Sequence, residues 1–301
     1  MSCDVSVILV NYNTEKLLLS ALDSLLAQVE QIEFQIIVVD NNSKIDPRTL
    51  LGEIYGDRVE WLLLPENIGF GRANNAALDL ARGRNILFLN PDTILVNNAV
   101  KILSDYLDTH LAVGAVGGNL FTRDMQPAAS YKYFGESLWF ELDSLFFEPV
   151  GRLIYGHNRV FNHTDRPKRV GYIIGADLMI PRRVIDKVGC FDPDFFMYAE
   201  ESELQYRIRR AGFSVVNIPE SHIIHLEGGS FDFSENRERM MLAGKVLYYT
   251  KCGGRWAASA MILIRKLMMI TRIPILWLLS RRVKLTRHRM LYRLLTEYSH
   301  R

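Results

Sequence analysis

A carboxylate at the end of a predicted strand is the first candidate for chemistry in this sequence. Residues 86–93 read ILFLNPDT, in which four apolar residues predict a buried strand that breaks at Asn90-Pro91 and presents Asp92. Hard oxygen ligands, with positions left for water or substrate, suit Mg²⁺ or Mn²⁺. Asp92 could therefore hold a divalent cation against a diphosphate, although Asn-Pro-Asp is also an ordinary turn sequence.

A second acidic centre lies near residue 200. Glu200, Glu201 and Glu203 stand at the start of a predicted helix that carries Leu204 and Ile208 on one face. A carboxylate there could take a proton from an attacking hydroxyl. The structural alternative is that acids in a first helical turn are stabilised by the helix dipole without any chemistry.

Polar turns follow two other apolar runs. Tyr12 comes just after VSVILV, where its aromatic face could stack on a pyrimidine. Asp40 and Asn42 follow IIVV, where Asp40 could accept hydrogen bonds from a base or ribose. The alternatives are a ring that packs on the sheet edge and an Asx-type turn in DNNS.

The elements that must position these residues alternate between strands and helices. Thr14 and Asp46 are predicted to cap the first two helices. A β-α-β-α-β-α-β order predicts a mostly parallel, open α/β sheet flanked by helices, with a ligand site along its carboxyl edge. The strands are predicted at 5–10, 33–39, 59–64 and 86–89, and the helices at 15–28, at 47–55 and from the NIGFG loop to Gly83.

Six ordered segments resemble the signature of family 2 glycosyltransferases, and they cover roughly residues 4–230. Among members of that family, the chain most resembles the bacterial rhamnosyltransferase-like enzymes that build surface polysaccharides. The resemblance implies a GT-A fold, a nucleotide-sugar donor, a divalent metal and inversion at the anomeric carbon. The segments are VSVILVNYNTEKLLLSALDSLLAQ, IIVVDNNS, NIGFGRANNAAL, ILFLNPDT, GADLMIPRRVIDKVGCFDPDFFMYAEESELQYRIRRAG and HLEGGS.

The resemblance also implies roles for individual residues. Tyr12 and Asp40 match the family's nucleotide-binding positions. Asp92 matches the last residue of an Asp-x-Asp motif whose first position here is Asn90, so the metal site has one negative charge fewer. Glu201 aligns with the catalytic base, where Asp is usual and one methylene shorter.

The same alignment bears on the neighbouring acids and on two histidines. Glu200 and Glu203 are expected to be mainly structural or to organise the donor. His225 aligns with a histidine that ligates metal or diphosphate in some relatives. His222 is the weaker candidate, and either histidine could simply be a hydrogen-bonded surface residue.

The loop NIGFGRANN has Gly69 and Gly71 at a spacing that permits close approach of the backbone to another group. It is neither a Walker loop nor a dinucleotide fingerprint, because the required Lys and third glycine are missing. Arg72 and Asn75 could reach the donor. The loop could equally serve only to start the next helix.

Residues 128–169 interrupt the regular pattern with a group of aromatic residues. We expect a helical excursion that packs on the core. In the family this region tends to line the acceptor site, so some of the rings could stack on sugars or meet lipid. The group comprises Tyr131, Tyr133, Phe134, Trp139, Phe140, Phe146 and Phe147.

The composition changes sharply at residue 251. Residues 251–301 hold twelve Lys and Arg but one acid, so a net charge of +2 hides an acidic body and a basic tail. We therefore expect a catalytic domain at 1–250 and a helical amphipathic tail at 251–301. Arg265 and Arg272 share a helix face, as in a helix that binds an anionic membrane surface.

Other arrangements of the tail remain open. It could pack on the catalytic domain as a helical pair. Its apolar stretches are shorter than the roughly 20 residues of a membrane span. Its apolar content fits a nucleic-acid partner badly, and we expect none.

Length and cysteine content limit the size of the hydrophobic core and the expected cellular compartment. A chain of 301 residues with 49% hydrophobic residues can bury one sizeable core. The three cysteines form no Cys-x-x-Cys pair, and no basic-then-apolar leader precedes the first strand. We expect a cytoplasmic protein, peripheral on the inner face of the cell membrane.

Three function classes fit the sequence. The first is an inverting glycosyltransferase that adds one sugar, with dTDP-rhamnose as the preferred donor, to a glycan or polyprenyl-linked acceptor. The second is a sugar-phosphate nucleotidylyltransferase, which would need a glycine-rich basic loop where this chain has NYNTEK. The third is a catalytically silent glycan-binding relative, which Asn90 and Glu201 would permit.

Overall fold

The computed structural model describes residues 3–133, 137–146, 153–154, 156–226, 234–278 and 281–299. The first part of the chain alternates strands and helices, which confirms the predicted β-α-β-α-β-α-β order. Its elements are β1 (Val5–Asn11), α1 (Glu15–Gln28), β2 (Phe34–Asp40), α2 (Pro47–Tyr55), β3 (Val59–Leu63), α3 (Phe70–Ala76) and β4 (Asn85–Leu89).

The rest of the chain adds strands to this sheet, forms a separate sheet of two strands at residues 131–132 and 172–173, and ends in two long helices. Its strands are β5 (Thr93–Leu95), β6 (Val113–Phe121), β7 (Tyr131–Lys132), β8 (Lys168–Arg169), β9 (Tyr172–Ile173), β10 (Asp177–Pro181) and β11 (Ser214–His225). Its helices are α4 (Ala99–Thr109), α5 (Leu138–Leu145), α6 (Arg182–Val188), α7 (Glu200–Arg210), α8 (Glu235–Leu278) and α9 (Arg282–Ser299).

The main sheet has the order β3-β2-β1-β4-β10-β6-β11-β5, and β8 pairs with β11. The strands β3, β2, β1 and β4 are parallel to their neighbours in this group, and β6 is parallel to β11. Strand β10 is antiparallel to both of its neighbours, and β5 and β8 are antiparallel to β11. The predicted fold class, a mostly parallel open sheet flanked by helices, is confirmed. In this arrangement Asn11 pairs with Asp40, and Asp177 pairs with Leu89, at one edge of the sheet.

The hydrophobic pattern explains why these elements form. All seven residues of β1 are buried, as expected of a parallel strand covered on both faces. Helix α1 buries Leu18, Leu22 and Leu25 at helical spacing, and each such side chain contributes about 1.5–3 kcal/mol on full burial. Helices α1, α2 and α4 cover one face of the sheet, while α3, α6 and α7 cover the other.

Two local details differ from the sequence-based expectation. Thr14 precedes α1, but its hydroxyl donates to Asn11 Oδ1 instead of capping the helix. Helix α3 ends at Ala76, well before Gly83. A Cβ at Gly83 would lie 2.3 Å from the Ser6 backbone nitrogen, so this glycine permits close approach to β1 and does not end a helix.

The C-terminal helices are packed on the sheet domain. Helix α8 crosses the expected boundary at residue 251 and bends at Gly254, where φ is 80°. Together with α9 and Phe195 it forms a separate hydrophobic cluster. The tail therefore packs on the sheet domain, which was one of the alternatives left open by the sequence. The buried members of the cluster are Phe195, Leu242, Tyr248, Tyr249, Ala257, Ala258, Met261, Ile262, Met268, Met269, Leu294 and Leu295.

Cations of this region bind partners in the sheet domain and α5. Arg265 donates to Glu141, and Arg272 donates to the Ser144 carbonyl. Arg265 and Arg272 do share a face of α8, but that face is turned toward α5. In the part of the chain that is described, no helix combines the length and apolar character needed to cross a membrane.

Candidate functional site

The turns after β1 and β2 are joined by side-chain hydrogen bonds. Asp40 is buried, and its carboxylate accepts from Asn11 Nδ2 (2.9 Å), from Ser43 N (2.9 Å) and from Ser43 Oγ (2.6 Å). Asn13 N donates to the same Ser43 hydroxyl at 2.8 Å. The DNNS turn is therefore the Asx-type turn considered above, and donor binding by Asp40 stays a prediction.

Two residues of these turns face solvent. Tyr12 is 48% exposed beside the Asp40 turn. Asn42 is exposed too, and its φ of 67° lies in the left-handed region that Asn tolerates. An exposed ring at the carboxyl edge of a parallel sheet has the character of a stacking platform for a planar base.

The NIGFG loop is held by Asn41, which the sequence analysis did not single out. Its amide accepts from Ile68 N at 3.0 Å and donates to Asn67 Oδ1 at 2.9 Å. A Cβ at Gly69, where φ is 90°, would lie 2.3 Å from the Phe196 carbonyl oxygen. The close approach permitted by this glycine is therefore to another part of the protein.

Arg72 and Asn75, predicted to contact the donor, bind the segment that leads to α7. Arg72 Nε donates to the Pro193 carbonyl at 2.6 Å. Asn75 Nδ2 donates to the Phe191 carbonyl at 2.7 Å, and its Oδ1 accepts from Phe191 N at 3.1 Å. These contacts position the chain ahead of Glu200, and a donor contact stays a prediction.

Asp92 and His225 are brought together by the pairing of β5 with β11. The His225 Nε2 atom lies 3.4 Å from Asp92 Oδ1, and Leu226 N donates to the Asp92 carbonyl at 2.9 Å. Both side chains are largely buried but remain partly accessible. The expectation that both residues belong to one site therefore has a structural basis.

The Asp92 and His225 pair is compatible with a divalent cation. A carboxylate oxygen and an imidazole nitrogen at this separation can ligate the same ion, and Mn²⁺ accepts both types of ligand. Among the described residues, no group of three or more His, Cys, Asp or Glu is arranged around an ion. Of the described residues, Asp92 and His225 could supply two ligands, with phosphate oxygens and water at further positions.

Glu201 lies one chain segment away from the Asp92 loop. A Cβ at Gly175 would come within 3.2 Å of Glu201 Cγ, so the Glu201 side chain rests on this glycine. The next residue, Ala176, accepts a hydrogen bond from Asn90 N at 2.9 Å. The loop of residues 174–176 therefore separates the candidate base from the candidate metal site.

The backbone ahead of Glu201 is strained. Tyr198 and Ala199 both have φ of 71°, a left-handed conformation that residues with a Cβ rarely adopt. Helix α8 packs directly on this turn at Gly244. A Cβ at that position would lie 2.2 Å from the Tyr198 carbonyl oxygen, so only glycine fits there. Strained backbone of this kind concentrates at functional sites when the surrounding structure holds it in place.

The two neighbouring glutamates have different environments. Glu203 binds Arg207 through both carboxylate oxygens, at 2.7 Å and 2.8 Å, in a structural ion pair. Glu200 is buried, and burial, with a smaller contribution from the charge of Glu201, raises its pKa to about 8. Glu200 therefore carries a proton at neutral pH, whereas Glu201 faces a cavity.

Asp177 was missed by the sequence analysis. It is fully buried at the start of β10, where its Oδ2 atom accepts from Gly118 N at 2.5 Å. Burial raises its pKa to about 7, while the Gly118 hydrogen bond and the charge of His225 act in the opposite direction. The sequence feature that could have identified Asp177 is an acidic residue directly before the apolar run LMI.

His222 and the aromatic region lie in several environments. His222 packs edge-on against Phe121, with 5.2 Å between the ring centroids. Tyr131 is fully buried, whereas Trp139 and Phe146 are exposed. Phe134, Phe147 and residues 227–230 of the HLEGGS motif lie outside the described residues.

A cavity of about 460 Å³ opens beside Glu201. Tyr172, Tyr198 and Phe140 contribute aromatic surface to it, and helices α8 and α9 form its opposite wall. Among the described members of the aromatic region, Phe140 lines this cavity. An acceptor hydroxyl could approach the Glu201 carboxylate from this side.

Comparisons with known proteins agree with this architecture. The model of the family "Glycosyl transferase family 2" matches residues 6–166, more than half of the chain. The O-antigen biosynthesis protein RfbC of Myxococcus xanthus is 28% identical over 75% of this chain, which spans 17% of that protein's length. The dTDP-rhamnosyl transferase RfbF of Shigella flexneri is 23% identical over 76% of this chain and 71% of that protein.

A solved structure shows the same fold. It is the mannosyltransferase PcManGT from Pyrobaculum calidifontis, in complex with GDP-Man and Mn²⁺. The TM-score is 0.61 at 15% sequence identity, over 99% of this chain and 87% of that chain. At this identity the likeness concerns the fold alone.

Replacement of Glu200 by Gln should stabilise the protein increasingly as pH rises from about 5 to 8. Folded Glu200 holds its proton to about pH 8, whereas the unfolded residue releases it above its ordinary pKa of 4.5. Between these values the folded state binds more protons, so wild-type stability falls with pH, by up to about 1.4 kcal/mol per pH unit from this group. Urea unfolding across this pH range measures the difference.

Glu203→Gln is the matched control. It loses the Arg207 ion pair, so it should be less stable than wild type throughout the same pH range. A Glu200→Gln variant that is destabilised equally at pH 5 and pH 8 would show that Glu200 is ionised in the folded protein.

Proposed function

The chain belongs to glycosyl transferase family 2, and we propose that it transfers one sugar from a nucleotide-sugar to a hydroxyl of a glycan or polyprenyl-linked acceptor. The observation that carries most weight is that the loop of residues 174–176 contacts Glu201 through Gly175 and Asn90, two residues before Asp92, through Ala176, while Asp92 lies beside His225. A site for a diphosphate and a site for a proton acceptor then lie on two sides of one loop. A displacement at the anomeric carbon needs both.

Donor binding would use the carboxyl edge of the sheet. The Tyr12 ring would stack on the base, with Asp40 and Asn42 in the adjoining turn contacting base or ribose. Asp92 and His225 would hold Mg²⁺ or Mn²⁺. Such an ion, when bound, neutralises the charge that develops on the departing nucleotide diphosphate.

Glu201 would act as the base. It would take the proton of the acceptor hydroxyl as that oxygen attacks the anomeric carbon, and the bond from that carbon to the diphosphate oxygen would break. The nucleotide diphosphate would leave with the electron pair, and the configuration would invert. Because burial raises the pKa of Glu200 to about 8, the negative charge of this acidic pair would reside on Glu201, which faces the acceptor cavity.

The preferred donor in this proposal is dTDP-rhamnose, followed by a UDP-sugar and then a GDP-sugar. The similarity to the Shigella flexneri dTDP-rhamnosyl transferase supports the first place of dTDP-rhamnose. The similarity to the Myxococcus xanthus O-antigen biosynthesis protein supports a place in surface polysaccharide synthesis. Thermal melting of the protein with each donor and Mn²⁺ would rank them, because a bound ligand raises the melting temperature.

The outer face of α8 supports a membrane-surface location. Trp256, Leu263, Leu267, Ile270 and Trp277 are all exposed, and their spacing places them on one face of the helix. The exposed cations at positions 255, 281 and 282 lie at the two ends of this apolar stripe. Apolar side chains with flanking cations match an anionic lipid surface, which would be the inner face of the cell membrane.

Replacement of Asp92 by Asn should leave folding nearly intact but abolish the effect of Mn²⁺ on donor binding. The amide cannot supply the charge that links the metal to the protein. Calorimetric titration of dTDP-rhamnose with and without Mn²⁺ measures this. Asp124→Asn, in an exposed turn, is the control, and equal metal-dependent affinity in wild type and Asp92→Asn would remove Asp92 from the site.

Replacement of Glu201 by Gln should lower turnover by about 10²–10⁴-fold while donor affinity barely changes, because the amide cannot accept the proton. Nucleotide release in the presence of acceptor gives the turnover, and NMR of the product gives its anomeric configuration. Exposed Glu220→Gln serves as control. Near-normal turnover, or retention of configuration, would contradict the mechanism.

Replacing Leu263, Leu267 and Trp277 together by Ser should weaken binding of the full chain to anionic vesicles by at least about tenfold. Each apolar side chain contributes about 1.5–3 kcal/mol when it is fully removed from water, and tenfold corresponds to about 1.4 kcal/mol. Co-sedimentation with phosphatidylglycerol and phosphatidylcholine vesicles measures binding, which should also weaken with salt.

A matched triple variant replaces the exposed Leu50, Ile54 and Leu111 of the sheet domain by Ser. It should bind vesicles like wild type. If the wild type does not pellet with vesicles, or if it is a dimer that only the α8 variant dissociates, the stripe is not a membrane contact.

A further inference from the structure

The cavity beside Glu201 has a cationic far wall. Its near wall includes Glu201, Tyr172 and Tyr198, which belong to the sheet domain. Its far wall is built from the C-terminal helices, where Arg265 and Arg272 of α8 point toward it. The cavity therefore joins the candidate base to a surface that the sheet domain does not provide.

Positive charge exceeds negative charge among the described residues that line this cavity. Two excess positive charges in a partly enclosed space, with reduced dielectric screening, stabilise a bound anion. The cations are Lys132, Lys245, Arg265, Arg272 and Arg287, and the carboxylates are Glu141, Glu201 and Glu238.

The cations are held in place by the walls of the cavity. Lys132 Nζ lies over the rings of Phe140 and Tyr172, at 5.2 Å and 5.3 Å from their centroids. The Arg272 guanidinium donates to the Ser144 carbonyl at 2.5 Å. Side chains that are already fixed lose little entropy when a ligand binds, so the wall is preorganised.

We propose that this cavity receives an acceptor whose accepting sugar is joined to a phosphate or diphosphate. The sugar ring would lie against Tyr198 with a hydroxyl at Glu201, and the phosphate would contact Lys132 and Arg272. Ammonium and guanidinium groups form charge-assisted hydrogen bonds with phosphate oxygens. Placing the sugar there rests on the proposed function, because Glu201 is the base of that reaction.

Two kinds of molecule carry this chemistry, a lipid-linked sugar phosphate and a soluble sugar phosphate. Helix α8 bears the cavity wall on one face and the exposed apolar stripe on another. A phosphate attached to a lipid in the membrane could therefore enter the cavity while its chain remained outside.

The first test is binding of inorganic diphosphate to the full chain, measured by calorimetry in EDTA so that a metal-dependent donor site is silent. Lys132→Met and Arg272→Met should each weaken binding by at least about tenfold, since each removes a charge-assisted contact. Arg272→Lys keeps the charge and should stay within about threefold of wild type.

Two controls locate the binding. Lys101→Met removes a cation that pairs with Asp105 on α4, across the sheet, and should change nothing. Asp92→Asn should bind diphosphate like wild type under these conditions. No binding by wild type, or binding that Lys132→Met and Arg272→Met leave unchanged, would overturn the assignment.

The second test is transfer to three acceptors that share one sugar: its polyprenyl diphosphate, its diphosphate without lipid, and its uncharged methyl glycoside. The charged acceptors should be preferred, and Lys132→Met should raise their KM at least about tenfold without changing the donor KM. Equal use of the methyl glycoside would overturn the assignment. The ratio between the two charged acceptors identifies the source of the phosphate.

The proposed function and the proposed anion site can fail separately. If diphosphate binds the cavity as expected but no nucleotide-sugar is ever turned over, the proposed function fails and the anion site stands. If sugar is transferred efficiently to the uncharged acceptor and diphosphate does not bind, the function stands and the anion site fails.

Discussion

The carboxylate of Glu141 is the charge around which the C-terminal half of the molecule is assembled. It is almost fully buried, and removing a carboxylate from water is costly unless donors replace the lost hydration. Lys245 Nζ at 3.0 Å, the Arg265 guanidinium at 2.9 Å and 3.1 Å, and the Tyr249 hydroxyl at 3.3 Å replace it. All three donors come from α8, so displacement of this helix from α5 would leave opposite charges buried without compensation.

Fixing α8 in this way also fixes the acidic end of the site. Gly244, the residue directly before Lys245, lies on the Tyr198 carbonyl, so the same docking presses on the strained turn that precedes Glu201. From the opposite side, Arg72 and Asn75 tie the chain ahead of that turn to α3. The position of the candidate base therefore depends on α3, which precedes it in the sequence, and on α8, which follows it.

Local patterns predicted the first half of the fold and the principal acids. Buried parallel strands are continuous apolar runs, and their carboxyl ends are marked by polar turns, so β1, β2 and β4 and the place of Asp92 could be read directly. Contacts between distant segments could not. Arg265 reaches Glu141 across 124 positions, and Arg72 reaches Pro193 across 121, with no periodicity that links the partners.

The basic tail shows that a count of charges in the sequence does not predict where those charges lie in the fold. The twelve cations mark residues 251–301 as unusual in composition, but composition does not tell which face of a helix the cations occupy. In α8, Arg265 and Arg272 face the protein, while Leu263, Leu267 and Trp277 face outward.

A helix adapted to water turns apolar groups inward and charges outward. Helix α8 does bury apolar side chains such as Met261 and Met268, but it also turns two cations inward and several apolar side chains outward. Arg265 is paired with Glu141, and a phosphate in the adjoining cavity would lie beside Arg272. The outward apolar residues would leave water on contact with lipid. A lipid-linked sugar phosphate supplies both partners at once, with its phosphate beside the cationic wall and its chain in the surrounding membrane. One helix whose two faces match the two parts of such an acceptor would place the sugar between them, at Glu201.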